Sequence, residues 1–236
     1  MTLNVGHRGA AGLEPENTLR SFRRAAEEGA DAVELDLRLT RDGCLAVLHD
    51  ADVDRTTNGS GPVAEMTLNE LKRLDAGLGE RVPTFEEVLE AIELPIHAEL
   101  KVVEAAEPLA TSILERGLAG RVVPISFHPE ALRQTKRSLP NLPVGLILRG
   151  TVPNPAAEAR SVDATYVSLE AAYLDEETVE HCQRAGLRVT TWTVNEPEEM
   201  RRALETGVDG IVTDRPDLLA GLAGHLRSAY RVDPYV

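Results

Sequence analysis

The reactive side chains of this 236-residue chain gather at the downstream ends of short apolar runs. His7-Arg8-Gly9 follows the run at 3–5, Glu34 and Asp36 lie in the run at 32–37, and His49-Asp50 ends the run at 45–48. Glu99 and Lys101 end the run at 95–100, Ser126-Phe127 ends 122–125, and Trp192 and Asn195 end 188–194. Glu34, Asp36 and Glu99 offer oxygen donors only, a set suited to Mg²⁺ or Ca²⁺ and not to Zn²⁺. His7 and His49 beside such a cation fit general acid–base work near neutral pH. Three carboxylates against a divalent cation, Arg8 and Lys101 leave a local charge of +1, which a singly charged phosphodiester would neutralise. Phosphoryl transfer uses such a site, with cations around the phosphoryl oxygens and positioned proton donors and acceptors.

Strand periodicity sharpens the pattern. Glu34, Asp36 and Arg38 share one side of a strand, opposite Val33, Leu35 and Leu37; His97, Glu99 and Lys101 share a side opposite Ile96, Ala98 and Leu100. Charged residues toward a barrel axis, apolar residues toward its helices, is the reverse of a purely structural strand. Unpaired, each buried charge would cost several kcal/mol, so the choice lies between internal ion pairs and a bound cation. His97, His128, His181 and His225 take the default structural or exposed role. Trp192, the single tryptophan, is either core or a pocket wall. No GxGxxG, P-loop, GxSxG or HExxH motif occurs.

The elements that must hold these residues alternate along the chain. Apolar runs at 3–5, 32–37, 45–48, 95–100, 122–125, 144–148, 165–169, 188–194 and 210–212 are separated by helical segments near 18–28, 84–92, 105–116, 129–137, 175–185 and 197–205, with a last helix near 216–226. Alternation of this kind predicts βαβ units and a parallel sheet. The expected fold is a single α/β (β/α)8 TIM-type barrel spanning residues 1–236, in which all strand ends share one active face. Nine runs leave one surplus, and Gly210–Val212 is the weakest, a candidate for a short final extension. Thr40-Arg41-Asp42-Gly43 is too short for a crossover helix and reads as a turn. Residues 50–83 form a compact insertion after the third strand, expected to cover the site, with a helical piece near 68–74. Residues 221–236 read as a C-terminal tail.

Composition excludes several classes. Formal charge is 25 minus 39, or −14, and the three lysines are scattered, which argues against nucleic acid. Cys44 and Cys182 are too few for a disulfide framework and lack metal-ligand spacing. No apolar stretch approaches the ~18 residues of a membrane span, and the N-terminus lacks a signal-peptide pattern. A cytoplasmic protein with no stable membrane insertion, monomer or homodimer, is expected.

The assembled motifs closely resemble those of the glycerophosphodiester phosphodiesterases. Gly6-His7-Arg8-Gly9, Pro15-Glu16-Asn17-Thr18, Glu34-Leu35-Asp36, Thr40-Arg41-Asp42-Gly43 and Val47-Leu48-His49-Asp50 match in order. So do Arg55-Thr56-Thr57-Asn58-Gly59, Glu99-Leu100-Lys101, Ser126-Phe127, Trp192-Thr193-Val194-Asn195 and Thr213-Asp214-Arg215-Pro216. The resemblance implies that His7 and His49 are the acid–base pair, Glu34, Asp36 and Glu99 the metal ligands, and Arg8 and Lys101 the phosphate-binding cations. It places Phe127 and Trp192 in the pocket lining. It implies hydrolysis of a small glycerophosphodiester to sn-glycerol 3-phosphate and an alcohol, by attack of the substrate's own 2-hydroxyl and opening of the cyclic phosphate by water. The family commonly carries a larger cap after the third strand; residues 50–83 are compact. Two alternatives remain at this point: a lysophospholipase D or phospholipase C-like enzyme, for which Val63, Met66 and Leu68 would form an apolar rim, and a non-catalytic anion-binding barrel.

Overall fold

The computed structural model describes residues 2–229. Its strands are β1 (Leu3–Gly6), β2 (Ala32–Leu39), β3 (Leu45–Val47), β4 (Ile96–Leu100), β5 (Val122–Ser126), β6 (Gly145–Leu148), β7 (Tyr166–Glu170), β8 (Arg188–Trp192) and β9 (Gly210–Thr213). The helices are α1 (Leu19–Glu27), α2 (Leu68–Leu71), α3 (Phe85–Ala91), α4 (Ala106–Arg116), α5 (Pro129–Ser138), α6 (Pro155–Arg160), α7 (Glu176–Arg184), α8 (Pro197–Glu205) and α9 (Pro216–Ala229). Of the expected tail at 221–236, the first part continues α9, and residues 230–236 lie outside the described residues.

Eight parallel strands, β1, β2 and β4 through β9, close into a barrel because β1 pairs with both β2 and β9. The TIM-type reading therefore holds, but the surplus strand is not the expected one. β9, short as it is, pairs with β8 and β1 and closes the ring. The extra strand is β3, which runs antiparallel to β2 with Leu37 opposite Val47 and Leu39 opposite Leu45. The cause is the turn at 40–43: Thr40 Oγ1 accepts from the Cys44 amide at 3.0 Å, and Gly43 adopts φ 79°. A connection that tight can only reverse the chain.

Side chains on the outer face of the strands meet the helices in two clusters. One joins Val33, Leu35, Leu37, Ile96 and Leu100 to Phe22, Phe85, Leu109 and Ile113; the other joins Val144, Leu146, Val167 and Val189 to Leu132, Val179 and Met200. Each such fully buried side chain contributes roughly 1.5–3 kcal/mol over an exposed one. The helices begin where the sequence offers caps. Thr18 Oγ1 accepts from the Ser21 amide, and Thr84 and Glu87 form a capping box. Helix α6 had a readable start in Asn154-Pro155, where Asn154 Oδ1 accepts from the Ala157 amide at 2.9 Å, but its six residues give too little periodicity to stand out.

Residues 50–83 build a small core of their own. Val53, Val63, Leu71, Ala76 and Val82 pack with Ala46 and Leu48, and Met66 and Leu74 seal it. Of the three residues that would form an apolar rim, Val63 and Met66 are thus engaged in this small core, while Leu68 is half-buried outside it.

Candidate active site

A cavity opens at the C-terminal mouth of the barrel, where His7, Arg8, Glu34, His49, Glu99, Lys101, Phe127 and Trp192 all line one space together with Ile125, Ile147, Ser168 and Arg149. Asp36 sits just behind, 1% exposed. The site residues expected from the sequence are thereby brought together, and none lies elsewhere in the fold. His97 and His181 do not join them. His97 is buried in the barrel against Tyr166, ring centroids 5.9 Å apart, and burial pushes its pKa down to about 4. His181 is exposed.

His7 and Arg8 stand on the turn that leaves β1. The turn is tight: a Cβ on Gly9, whose φ is 86°, would lie 2.5 Å from Ser21 Oγ. Arg8 itself is in the left-handed region at φ 51°, which costs about 1 kcal/mol in a non-glycine residue. The surroundings hold it there. Its amide donates to Glu34 Oε2 at 3.1 Å, and its carbonyl accepts from Ser21 Oγ at 2.9 Å and the Asn17 amide at 3.0 Å.

His49 arrives by a route that strand-end counting does not describe. Because β3 is antiparallel, its end returns to the barrel instead of leaving it: the β2–β3 hairpin overshoots the mouth and β3 brings His49 back beside Asp36, whose carbonyl accepts from the Leu48 amide at 3.0 Å. Arg38 pins the His49 carbonyl with Nε and Nη2, at 2.9 and 2.7 Å. Among the described residues, none of 50–83 lines the cavity. The insertion stands behind His49 rather than roofing the site.

Each histidine is held by a carboxylate that the sequence reading gave no role. His7 Nδ1 lies 2.7 Å from Asp214 Oδ1, and Asp214 in turn accepts from Asn195 Nδ2 at 2.6 Å. His49 Nδ1 lies 2.6 Å from Asp50 Oδ1. Asp50 accepts from Arg55 Nε at 2.6 Å, and Arg55 forks onto both oxygens of Glu16 at 2.8 Å. Glu16 then accepts from Arg8 Nη1 at 2.8 Å. An unbroken ionic chain thus joins the His49 imidazole to the Arg8 guanidinium. The signal was present, since Asp50, Arg55, Glu16, Asn195 and Asp214 all lie in the matched motifs, but nothing local says which histidine each would meet.

Electrostatics separate the two rings. Burial opposes charge on His7, but the Asp214 hydrogen bond and Glu34 outweigh it and raise its pKa. Burial depresses His49, and Lys101 and Arg8 add to that against the pull of Asp36 and Asp50. Asp36 is buried, yet Lys101 and Arg8 hold its carboxyl below the usual range, and Asn17 Nδ2 donates to it at 2.8 Å. Glu34 is pushed up to about 8, first by burial and then by Asp36. Glu99 is raised by the same two causes, although Lys101 Nζ sits 2.7 Å from its Oε1.

One oxygen from each of Glu34, Asp36 and Glu99 falls within 4.8 Å of the others. Glu34 Oε1 is buried with no hydrogen-bond partner. A buried carboxylate oxygen left without a donor costs about 1–3 kcal/mol or more, and a bound cation would relieve it. The residues present fit a hard divalent ion.

The far wall is different. Ser126 Oγ donates to the Leu100 carbonyl at 2.7 Å, which ties the tops of β4 and β5 together just before Phe127. Phe127 meets Trp192 edge to face, centroids 5.3 Å apart at 87°, and Trp192 Nε1 donates to the Ser168 carbonyl at 3.3 Å. Trp192 therefore forms part of the cavity wall while it also packs against the Val5, Ala32 and Val212 cluster.

Known proteins share this chain's family pattern and its fold. The glycerophosphoryl diester phosphodiesterase family pattern matches residues 7–218. A glycerophosphodiester phosphodiesterase of Caldanaerobacter subterraneus subsp. tengcongensis is 41% identical over 238 residues, covering 94% of this chain and 97% of that protein. Among solved structures, a putative glycerophosphoryl diester phosphodiesterase from Silicibacter pomeroyi superposes with TM-score 0.88 at 27% identity, over 94% of this chain and 93% of that one. An Oleispira antarctica phosphodiesterase in complex with the product sn-glycerol-3-phosphate superposes with TM-score 0.86 at 28% identity, over 93% of this chain and 96% of that one.

Proposed function

This chain belongs to the glycerophosphoryl diester phosphodiesterase family, and on that premise we propose that it hydrolyses small glycerophosphodiesters to sn-glycerol 3-phosphate and an alcohol. The observation that carries the proposal is the convergence of two carboxylate-held histidines, three buried carboxylates and two cations on one cavity. A binding module would need the cations alone; it has no use for two oriented imidazoles.

Glu34, Asp36 and Glu99 are assigned to hold the divalent cation, Mg²⁺ or Ca²⁺, which when bound supplies Lewis-acid stabilisation of phosphoryl charge. Arg8 and Lys101 bind the phosphate oxygens and neutralise what remains. His7 and His49, which line the same cavity, divide the proton work. One removes the proton from the substrate's 2-hydroxyl as its oxygen bonds to phosphorus; the other protonates the departing alkoxide as the phosphorus–oxygen bond to the alcohol breaks. The cyclic phosphate is then opened by water with the proton transfers reversed in direction. Asp214 and Asp50 fix the tautomer and aim of each ring, as the carboxylate does in a Ser-His-Asp triad. Phe127 and Trp192 bound the space left for the organic arms of the diester.

Cys44 and Cys182 are both free thiols, which supports a cytoplasmic setting. Among the described residues no helix is long and apolar enough to cross a membrane. A monomer or homodimer acting on a small soluble substrate is the form proposed. The test is release of sn-glycerol 3-phosphate from a panel of glycerophosphodiesters, with and without EDTA, beside lysophosphatidylcholine. Metal-dependent release from the diesters is expected. Preferential cleavage of the lysophospholipid, or no release from any substrate, would overturn the proposal. A diester lacking the 2-hydroxyl should turn over poorly, and undiminished turnover would exclude the cyclic route.

A further inference from the structure

Arg149 follows directly on β6 and lines the cavity, yet none of the chemistry above uses it. Its guanidinium carbon lies 5.4 Å from the Phe127 ring centroid and 5.6 Å from that of Trp192, so one cation covers both aromatic faces. The placement is built from both sides. The next amide, Gly150, donates to Glu170 Oε2 at 2.8 Å, which ties the Arg149 loop to the end of β7. The Trp192 indole is tied to β7 through the Ser168 carbonyl. Unlike Arg8 and Lys101, which are paired with buried carboxylates, Arg149 makes no ion pair among the described residues. Its side chain is exposed at the mouth.

We propose that Arg149 is a specificity-determining residue, selecting diesters whose leaving alcohol is a polyol or carries negative charge and rejecting those with a quaternary ammonium. The inference rests on the hydrolase reading. With the phosphate held by Arg8 and Lys101 and the glycerol arm on the carboxylate side, the alcohol arm faces Phe127 and Trp192. A pair of rings set edge to face would by itself attract an onium group. Here the guanidinium already occupies those faces, and a second cation meets its charge across a few ångströms. The same guanidinium presents planar N–H donors not spent on acceptors among the described residues, and these suit hydroxyl, carboxylate or phosphate oxygens.

The experiment compares kcat/KM for glycerophosphoinositol and glycerophosphocholine in the wild type, Arg149→Met and Arg149→Lys. The wild type should prefer the inositol diester by roughly tenfold, the scale of one cation–π contact. Arg149→Met should bring the ratio to about one or reverse it, while Arg149→Lys, which keeps the charge but not the planar donor fork, should keep only part of the preference. A wild-type ratio near one, or an unchanged ratio in Arg149→Met, overturns the inference while leaving the hydrolase intact. Trp192, the single tryptophan, supplies a readout that needs no turnover. Choline chloride should perturb its fluorescence in Arg149→Met and not in the wild type, and equal responses would sink the inference even if neither diester were cleaved. Absence of cleavage with the expected fluorescence contrast would instead fault the hydrolase reading.

Discussion

From β1 to β4 the cavity wall is His7, Arg8, Glu34, His49, Glu99 and Lys101, with Asp36 behind; from β5 to β9 it is mainly Ile125, Phe127, Ile147, Ser168, Trp192, Thr193 and Val212. The first half is charged and heavily cross-braced. Every cation on it is paired, and each histidine that faces it has its own carboxylate. The second half is apolar and aromatic, held by ring contacts and by hydrogen bonds such as those from the Trp192 indole to the Ser168 carbonyl and from the Gly150 amide to Glu170, with Arg149 as its one cation on the cavity wall. The difference teaches a division of labour. Bond-breaking needs groups fixed to within fractions of an ångström, so the charged half carries a supporting shell drawn from the 50–83 insertion and from β9. Holding an alcohol needs shape and a little polarity, and a less constrained wall suffices.

Changes on the charged half should therefore act on turnover, and changes on the apolar half on substrate choice. The largest effect is expected for His49→Ala, which should lower kcat by roughly 10²–10⁴ with an unchanged circular dichroism spectrum; near-normal turnover would reject its proton-transfer role. Glu34→Gln should weaken Mg²⁺ or Ca²⁺ binding by calorimetry at least ~100-fold, since even supporting residues around metal ligands cost 10–100-fold. The same variant should melt no lower than the wild type in EDTA, because it removes a buried carboxylate oxygen without a partner, and should lose the rise in Tm that the ion gives the wild type. A large fall in Tm in EDTA would mean that the carboxylate is structural.

Asp214→Asn keeps the shape but weakens the hold on His7, and a fall in kcat of roughly 10- to 100-fold is expected with KM little altered. Arg55→Met cuts the chain between His49 and Arg8 at a half-exposed link, so a loss of only about tenfold, again in kcat, should follow. Smallest on turnover is Trp192→Leu, which should raise KM several-fold with kcat within about twofold, since uniform binding is what that wall supplies. A kcat effect from Trp192→Leu as large as that from Asp214→Asn would erase the distinction between the halves.

Much of this was legible along the chain. Charged residues at 34, 36, 99 and 101 alternate with apolar ones, and period-two alternation assigns them to one face whatever the partner strands are. The collection of His7, Glu99, Phe127 and Trp192 at strand ends needed only a parallel barrel to converge. The surplus strand was less legible: the run Gly210–Val212 looks too short to matter, and its importance comes wholly from the two neighbours that β9 pairs with. Arg149 carried no local mark at all, since an arginine after a strand is ordinary until two rings arrive beneath it.

By itself the sequence determined the alternation of strand and helix, the inward face of each strand and the list of groups able to do chemistry, because these follow from local periodicity and side-chain type. Tertiary structure alone decided the partners. His7 and Asp214 are 207 positions apart and meet only because β9 closes the ring against β1. His49 reaches the mouth because β3 turns back, and Arg55 reaches Glu16 across 39 positions because the insertion packs a core of its own. A contact between residues far apart in the chain depends on which strands pair and which loops pack, and no window of sequence contains that information.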